Sequence, residues 1–530
     1  MRVPGTRLRV PGSMNDDGER HPRPKYPVPV SAPIPVPDPA PVRRRGVSFR
    51  DSTALLAART VTGVVRLGGR AGTSLPGLVA DRIAPGLDAR LARGLAGAAL
   101  VTGTNGKTST AKMLATVVEA TGHAVLANAS GANLRQSVGA VLVNGTTLRG
   151  TFRNAGTIAV LEVDEAALPA VRPALPGAVM VMTNLFRDQL DRFGETDHLV
   201  RLWRTMLAAE GIGCTIAYCV DDPRVTSLVA IAGGNGARLI GYGFAGRPDR
   251  TSAAELTPEP VTCPSCEGPL TRRWTSIGHL GDYACETCGF GRPTPDVTVE
   301  IVERRGLTSQ VLRFRWVAGA GDGGDGGAAG VGGESTETVV LRLPGLGNAY
   351  NAAGVVAAAI GLGIEPRAAV RALAAAVPPF ARFEQFTVDG RTVVLALLKN
   401  PATMAELTSV AAGAPVDRLV VALNDAFADG RDVSWYWDCS PADLVVGRPY
   451  RLAGRRATDF AVRLKYAVAD DPAVEPGGFL GIVDDPTVAV DQTIAEAPEG
   501  GIVLVVATYT ALLGIRAGFA ARGAIAPMPR

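Results

Sequence analysis

Between Val101 and Thr110 the chain reads VTGTNGKTST. Gly103 and Gly106 flank only Thr104 and Asn105, and Lys107 and Thr108 follow directly. A Gly-rich turn between a strand and a helix lets backbone N–H groups approach phosphate oxygens at the positive end of the helix dipole. In such a loop Lys107 supplies a point charge for the outer phosphates, and the Thr108 hydroxyl is placed to hold Mg²⁺. The common phosphate loop, G-x-x-x-x-G-K-[ST], separates its glycines by four residues. Here two residues do so.

Four of the seven cysteines form a second constellation. Cys263-x₂-Cys266 and Cys285-x₂-Cys288 are separated by 18 residues. Two such knuckles supply four thiolates for a tetrahedral Zn²⁺ with a closed, structural coordination shell. In zinc-finger peptides such a site contributes on the order of 10–16 kcal/mol, enough to fold a module with almost no core. Local basic charge is limited to Arg272 and Arg273, which gives little support for nucleic-acid binding. Cys214, Cys219 and Cys439 read as small buried residues. A third group lies in LNDAFADGRDVSWYWDC, where Asp425, Asp429, Asp432 and Asp438 are interleaved with aromatics. Acids crowded by aromatics suggest a contact surface.

The elements that must position these groups follow a βα rhythm. AGAALVTGT reads as a buried strand, and GKTSTAKMLATVVEATG as a helix ended by Gly122. TIAVLEVDEA, AVMVMTNL and CTIAYCVDD are further strands, and DSTALLAARTVTGVVRL is a first helix. Alternation of this kind predicts a doubly wound, mostly parallel α/β sheet with ligands at the carboxyl ends of its strands. The pattern restarts after PPFARFEQF with RTVVLALL, DRLVVALND and GIVLVVATYT. The expected domains are therefore 47–379, carrying a zinc-ribbon insertion at 261–290, and a second Rossmann-like α/β domain at 380–530. The Gly/Ala/Asp stretch 318–333 reads as a flexible loop. The Pro-rich residues 1–46 read as a disordered tail, or as the product of a start codon placed too far upstream.

With 530 residues, 47% of them hydrophobic, the chain is long enough for two or three domains with sizeable cores. Aromatics make up only 5%, so no stacking platform for nucleic acid is indicated. The net charge of +4 is concentrated in residues 1–46, which carry +5 and leave −1 for the rest. A nearly neutral body is poor evidence for polyanion binding. The opening residues lack the apolar core of a secretory signal, and no apolar run reaches the roughly 20 residues of a membrane span. The expected location is the cytoplasm, at most peripheral to the inner face of the membrane.

The short loop GTNGKT resembles that of the Mur ligase superfamily, which includes the folylpolyglutamate synthases. These enzymes activate a carboxylate with ATP as an acyl phosphate, which an amine then attacks. Further segments resemble superfamily landmarks in the correct order. VLEVDEA implies Glu162 as a Mg²⁺ ligand, with Asp164 and Glu165 beside it. LGNAYNAAGVVAA implies Asn348 and Asn351 against the nucleotide, and FARFE implies Arg382 near a phosphate. On this resemblance ATP is held by Gly103, Thr104, Asn105, Gly106, Lys107, Thr108, Asn348, Asn351 and Arg382, and Mg²⁺ by Thr108 and Glu162.

Two segments depart from the ordinary Mur ligase pattern. TNLFRDQLDRFGE has Gln189 where an Asp-His pair is usual, and ALLKNPATM replaces an Asp-Tyr-Ala-His-like segment. Residues 47–100 are also too few for the N-terminal domain that would bind a UDP-linked precursor. The departures themselves, with TSLPGLVADRI, LNDAFADGRDVSWYWD and ATYTALL, resemble the MurT family of ligase subunits over about residues 47–515. That resemblance implies a partner, a GatD-type glutaminase forming a heterodimer with the chain. It also implies a reaction in peptidoglycan biosynthesis, amidation of the D-glutamate α-carboxyl of lipid II to D-isoglutamine. Asp432, or Asp429 close behind it, would complete the partner's Cys-His pair. The alternatives are a folylpolyglutamate-type ligase, which the ribbon and LLKNPA oppose, and a non-catalytic scaffold gated by ATP.

Overall fold

The computed structural model describes residues 48–67, 74–128, 132–186, 196–248, 262–317, 334–378, 382–470, 475 and 477–525. The expectations for the tail 1–46, for 318–333 and for Gln189 lie outside these residues.

The first sheet is built around β1 (Gly97–Thr102), in which all residues after Gly97 are buried. Successive residues feed opposite cores. Ala99 and Val101 enter one, and Ala98 and Leu100 the other. A strand buried on both faces is what a near-continuous apolar run dictates in a parallel sheet. Flanking it are β2 (Val125–Ala127), β3 (Ile158–Glu162), β4 (Val179–Met182), β5 (Thr215–Cys219) and β6 (Arg238–Phe244). Beyond β6 come β9 (Val297–Arg305), β10 (Ser309–Val317) and β11 (Glu334–Leu341). Among the described residues the order is β11-β10-β9-β6-β5-β4-β1-β3-β2, parallel from β2 through β9 and antiparallel across the last two pairings. The chain leaves β1 toward β2 and β3 on one side and then returns to β4 on the other. The order reverses at β1, which is where a doubly wound sheet opens a ligand crevice.

Helices cover both faces. Met113, Leu114, Val117 and Val118 of helix Lys107–Ala120 share a core with the Ala/Val-rich helix Leu346–Gly361, which is buried nearly all round. Helices Phe49–Leu67, Arg135–Gly145, Thr196–Leu207 and Pro223–Gly234 close the other face. Each fully buried Leu, Val or Met stabilises this arrangement by about 1.5–3 kcal/mol.

The second sheet starts at Arg382. It comprises β12 (Arg382–Val388), β13 (Arg391–Leu397), β14 (Arg418–Ala422), β15 (Tyr450–Ala453), β16 (Phe479–Val483) and β17 (Ile502–Ala507). The order is β12-β13-β17-β14-β15-β16, parallel except for the β12–β13 hairpin. Val394 and Ala396 enter one core, Val393 and Leu395 the other. The carboxyl ends of the neighbouring β13, β17 and β14 lead into the KNPA, TYT and acidic segments, so this topology gathers all three at one edge. Inserted between β6 and β9 of the first sheet is the ribbon, whose hairpin pairs β7 (Thr271–Thr275) with β8 (Gly281–Ala284). No described helix is long and apolar enough to cross a membrane.

Candidate functional site

The phosphate loop occupies the four residues between the end of β1 at Thr102 and the helix that begins at Lys107. Its glycines are required twice over. Gly103 and Gly106 have φ of +126° and +89°, in the region that L side chains rarely adopt. A Cβ on Gly103 would lie 2.2 Å from Thr183 Oγ1, and one on Gly106 would lie 2.1 Å from Asn351 Oδ1. The end of β4 holds the loop. Asn105 donates its N–H to Asn184 Oδ1 at 2.9 Å, and its carbonyl accepts from Thr183 Oγ1 at 2.8 Å and Asn184 Nδ2 at 3.1 Å. The helix that follows has neither a side-chain cap nor an acid in its first turn, which leaves its N–H groups for an anion.

Lys107 lies across the mouth of this loop. Its Nζ donates to the Gly103 carbonyl at 2.6 Å and to Glu165 Oε2 at 2.9 Å, with both side chains largely buried. The three acids after β3 thus divide their roles. Glu165 is the counter-ion of Lys107, and Asp164 Oδ1 accepts from the N–H of Ala166 in its own turn. Glu162 is only 6% exposed, and none of the described residues donates a hydrogen bond to its carboxylate. Asn128 brackets its backbone instead, through two 2.8 Å bonds to Glu162 N–H and C=O. A fixed backbone carrying an acid whose oxygens are not engaged is a good donor for a divalent cation.

The other side of the cleft comes from helix Leu346–Gly361 and the second domain. Asn351 Nδ2 donates to Asn348 Oδ1 at 3.3 Å, and Asn348 Nδ2 to the Pro344 carbonyl at 2.8 Å. Burial holds the Arg382 guanidinium below its ordinary pKa, against the pull of the Glu162 and Glu406 carboxylates beside it. Burial likewise raises Glu406, partly offset by Arg382 and by the N–H of Gly347, which donates to it at 3.0 Å. These groups line a cleft that runs from Asn105 and Gly106 to Lys399 and Leu407.

Two residues of this wall, Lys399 and Asn400, act on the phosphate loop directly. Lys399 Nζ donates to the Thr104 carbonyl at 3.0 Å, and Asn400 Nδ2 to Asn105 Oδ1 at 3.0 Å. Asn400 is also the N-cap of helix Pro401–Ala412, its Oδ1 accepting from Thr403 N–H in a capping box. The cap uses the amide oxygen, so the amide NH₂ must face the loop. The segment, which in sequence only departs from the ordinary Mur ligase pattern, is therefore part of the site. The signal was present in Asn-Pro, a helix start directly after an apolar strand. Lys399→Ala is expected to lower ATP-dependent turnover on the order of 10²-fold, as loss of one preorganised charge does. Steady-state kinetics on a variant with unchanged thermal midpoint checks this.

In the acidic loop the structure separates the two candidate aspartates. Asp429 is buried and its carboxylate is engaged, accepting from Ala426 N–H at 3.0 Å, Thr510 N–H at 2.7 Å and the Thr510 hydroxyl. It ties the loop to the start of helix Tyr509–Ala521. Asp432 is exposed, with Oδ1 accepting from Ser434 N–H at 2.9 Å. Asp425 is paired with Arg455 and Arg456. Phe427 and Trp437, 71% and 55% exposed, flank the loop with apolar surface.

A model of the Mur ligase middle domain matches residues 101–269, and one of the MurT ligase C-terminal domain matches residues 397–512. The lipid II isoglutaminyl synthase (glutamine-hydrolyzing) subunit MurT of Streptococcus pneumoniae is 29% identical over 482 residues, covering 90% of this chain and 98% of that one. The subunit of the same name from Staphylococcus aureus is 27% identical over 428 residues, covering 80% and 90%. The chain belongs to the MurT branch of the Mur ligase family. Its fold is also that of a pseudomurein peptide ligase type C from Methanothermus fervidus (TM-score 0.56, 18% identity, 79% and 78% of the two chains). MurF from Acinetobacter baumannii shares it as well (TM-score 0.56, 14% identity, 83% and 80%). Membership of this family of ATP-dependent ligases implies ATP and Mg²⁺, and the open Glu162 carboxylate beside the uncapped loop fits that chemistry.

This MurT-type chain carries its cysteine cluster as an insertion between β6 and β9. The four Sγ atoms lie within 4.8 Å of one another, with Cys263–Cys288 at 3.6 Å and Cys266–Cys285 at 3.5 Å. A tetrahedral Zn²⁺ with bonds of about 2.3 Å requires sulfur separations near 3.8 Å, so the set fits that ion. Each knuckle turns through a positive-φ residue, Glu267 at 62° and Gly289 at 76°. Cys214, Cys219 and Cys439 are buried away from the cluster. Purified protein is expected to contain one tightly held Zn²⁺ per chain, released by strong chelators and lost in Cys285→Ser with local loss of structure. Metal analysis is the test, and absence of zinc would exclude a structural site.

Proposed function

We propose that the chain is the ligase subunit of a two-subunit amidating enzyme that acts on the lipid II stem peptide at the inner face of the membrane. In this reading the D-glutamate α-carboxylate attacks the γ-phosphorus of ATP, giving an acyl phosphate and ADP. Ammonia released by a glutaminase partner of the GatD type then attacks the carbonyl carbon. Phosphate leaves, the nitrogen loses a proton, and D-isoglutamine results. Lys107, Lys399 and the N–H groups of residues 103–108 would bear the phosphate charge, with Arg382 reaching the same cleft. Glu162 and Thr108 would hold Mg²⁺, which screens the charge that develops on the transferred group.

The observation that carries this reading is the placement of Lys399 and Asn400 on the phosphate loop. Those residues belong to the segment matched by the MurT-type C-terminal model. In this reading that segment completes the ATP cleft. The exposed acid and aromatics of residues 425–438 support a protein partner docked at the same domain. We infer that Asp432 faces that partner and orients its catalytic histidine, while Asp429 fixes the loop. The chain should copurify with a glutaminase encoded beside it, and the pair should convert lipid II to its amidated form with glutamine and ATP. A pair that turns over ATP with a folate and glutamate but never with lipid II would replace this reading by the folylpolyglutamate one.

A further inference from the structure

The hairpin loop of the ribbon, Ser276–Leu280, reaches into the interdomain cleft. Ile277 and Leu280 line it together with Phe186, Tyr350 and the phosphate-loop residues Asn105 and Gly106. Close packing sets their position. Gly278 sits at φ +53°, and a Cβ there would lie 2.7 Å from the Phe186 ring. The His279 ring lies 4.5 Å from that of Phe186.

A buried polar chain links the same loop to the nucleotide side of the domain. His279 Nε2 lies 3.0 Å from Asp222 Oδ2, both fully buried. That oxygen also accepts the Leu185 N–H at 2.8 Å, and the next N–H, of Phe186, donates to Thr104 Oγ1 of the phosphate loop at 3.1 Å. On the other flank Ser276 Oγ is 2.7 Å from Tyr350 Oη, which donates to Asp221 Oδ2 at 2.6 Å. Strand β7 is itself half-exposed, whereas Ile277, His279 and Leu280 of the loop are buried. The four cysteines flank the base of the hairpin, where a bound metal would fix the strands that carry this loop.

We infer that the ribbon is part of the nucleotide site, its loop residues Ile277 and Leu280 forming with Phe186 an apolar wall for the base of ATP. A phosphate loop binds only the charged end of a nucleotide, and a planar, largely apolar base needs such a wall. Loading of the four-cysteine site then sets nucleotide affinity. This rests on the ATP-dependent reading above.

The test compares ATP with inorganic triphosphate, which carries the charges without the base. Both are titrated calorimetrically, with Mg²⁺, into the full chain as wild type, Ile277→Ser, Leu280→Ala and zinc-depleted protein. Circular dichroism monitors the fold. Ile277→Ser and Leu280→Ala are each expected to weaken ATP about tenfold, in line with loss of apolar contact in a pocket, and to leave triphosphate unchanged. Zinc depletion should act the same way and be reversed by adding Zn²⁺. Because the two substitutions keep the metal, they decide the matter if depletion unfolds the chain. Unchanged ATP affinity in both variants, or equal loss for ATP and triphosphate, overturns the wall. Wild-type protein that binds neither ligand would instead overturn the ATP reading itself.

Discussion

Lys107→Ala is expected to remove amidation almost completely, with glutamine or with ammonium salts as nitrogen source, by on the order of 10³-fold or more. Its Nζ lies on the loop itself, 2.6 Å from the Gly103 carbonyl. The substitution has a second consequence that the loop's sequence does not reveal. Lys107 is the partner of the buried Glu165, so its removal strands a carboxylate. Breaking one side of a buried pair costs about 3–5 kcal/mol. The clean comparison is therefore Lys107→Ala/Glu165→Gln, which should recover much of the lost thermal stability and none of the activity. Stability that returns together with turnover would show that the lysine serves only the fold.

The second large effect separates the two half-reactions. Asp432→Asn keeps size and most hydrogen bonding but removes the charge proposed to stabilise the partner's imidazolium. Such a change in a serine-protease triad costs roughly 10⁴-fold. In the two-subunit complex it should abolish glutamine-dependent amidation and leave ammonium-dependent amidation largely intact. Asp429→Asn has a different expectation, because its carboxylate anchors the loop on Thr510 N–H and Oγ1. It should lower thermal stability and impair glutamine use through a misplaced loop. Glutamine hydrolysis unchanged in Asp432→Asn but absent in a fully folded Asp429→Asn would reverse the two assignments. No effect of either would leave the loop as a contact surface only.

The strands around β1, the phosphate loop and the cysteine knuckles were legible because each rests on local rules. An apolar run must be buried, a Gly at positive φ admits no Cβ, and a Cys-x₂-Cys pair can reach one metal from a single turn. Glu162, which the resemblance of VLEVDEA implies, lies at the end of β3 beside β1. Lys399, Asn400 and Glu406 were not legible. They follow the loop by some three hundred residues in sequence, and their side chains acquire meaning only when β13 ends opposite β1 across the cleft.

The sequence by itself determined the two α/β units, the Gly-rich turn after β1 and the pairing of the four cysteines, since periodicity and spacing act within a few turns of chain. Tertiary structure alone decided that Lys107 is neutralised by Glu165 and that Asp429 is spent on Thr510 while Asp432 stays exposed. It also decided that Ile277 and Leu280 of the cysteine-flanked hairpin line the same cleft as Asn105 and Gly106. Each of these depends on which distant carboxylate, hydroxyl or ring comes within about 3–4 Å, the range over which hydrogen bonds and apolar contacts act.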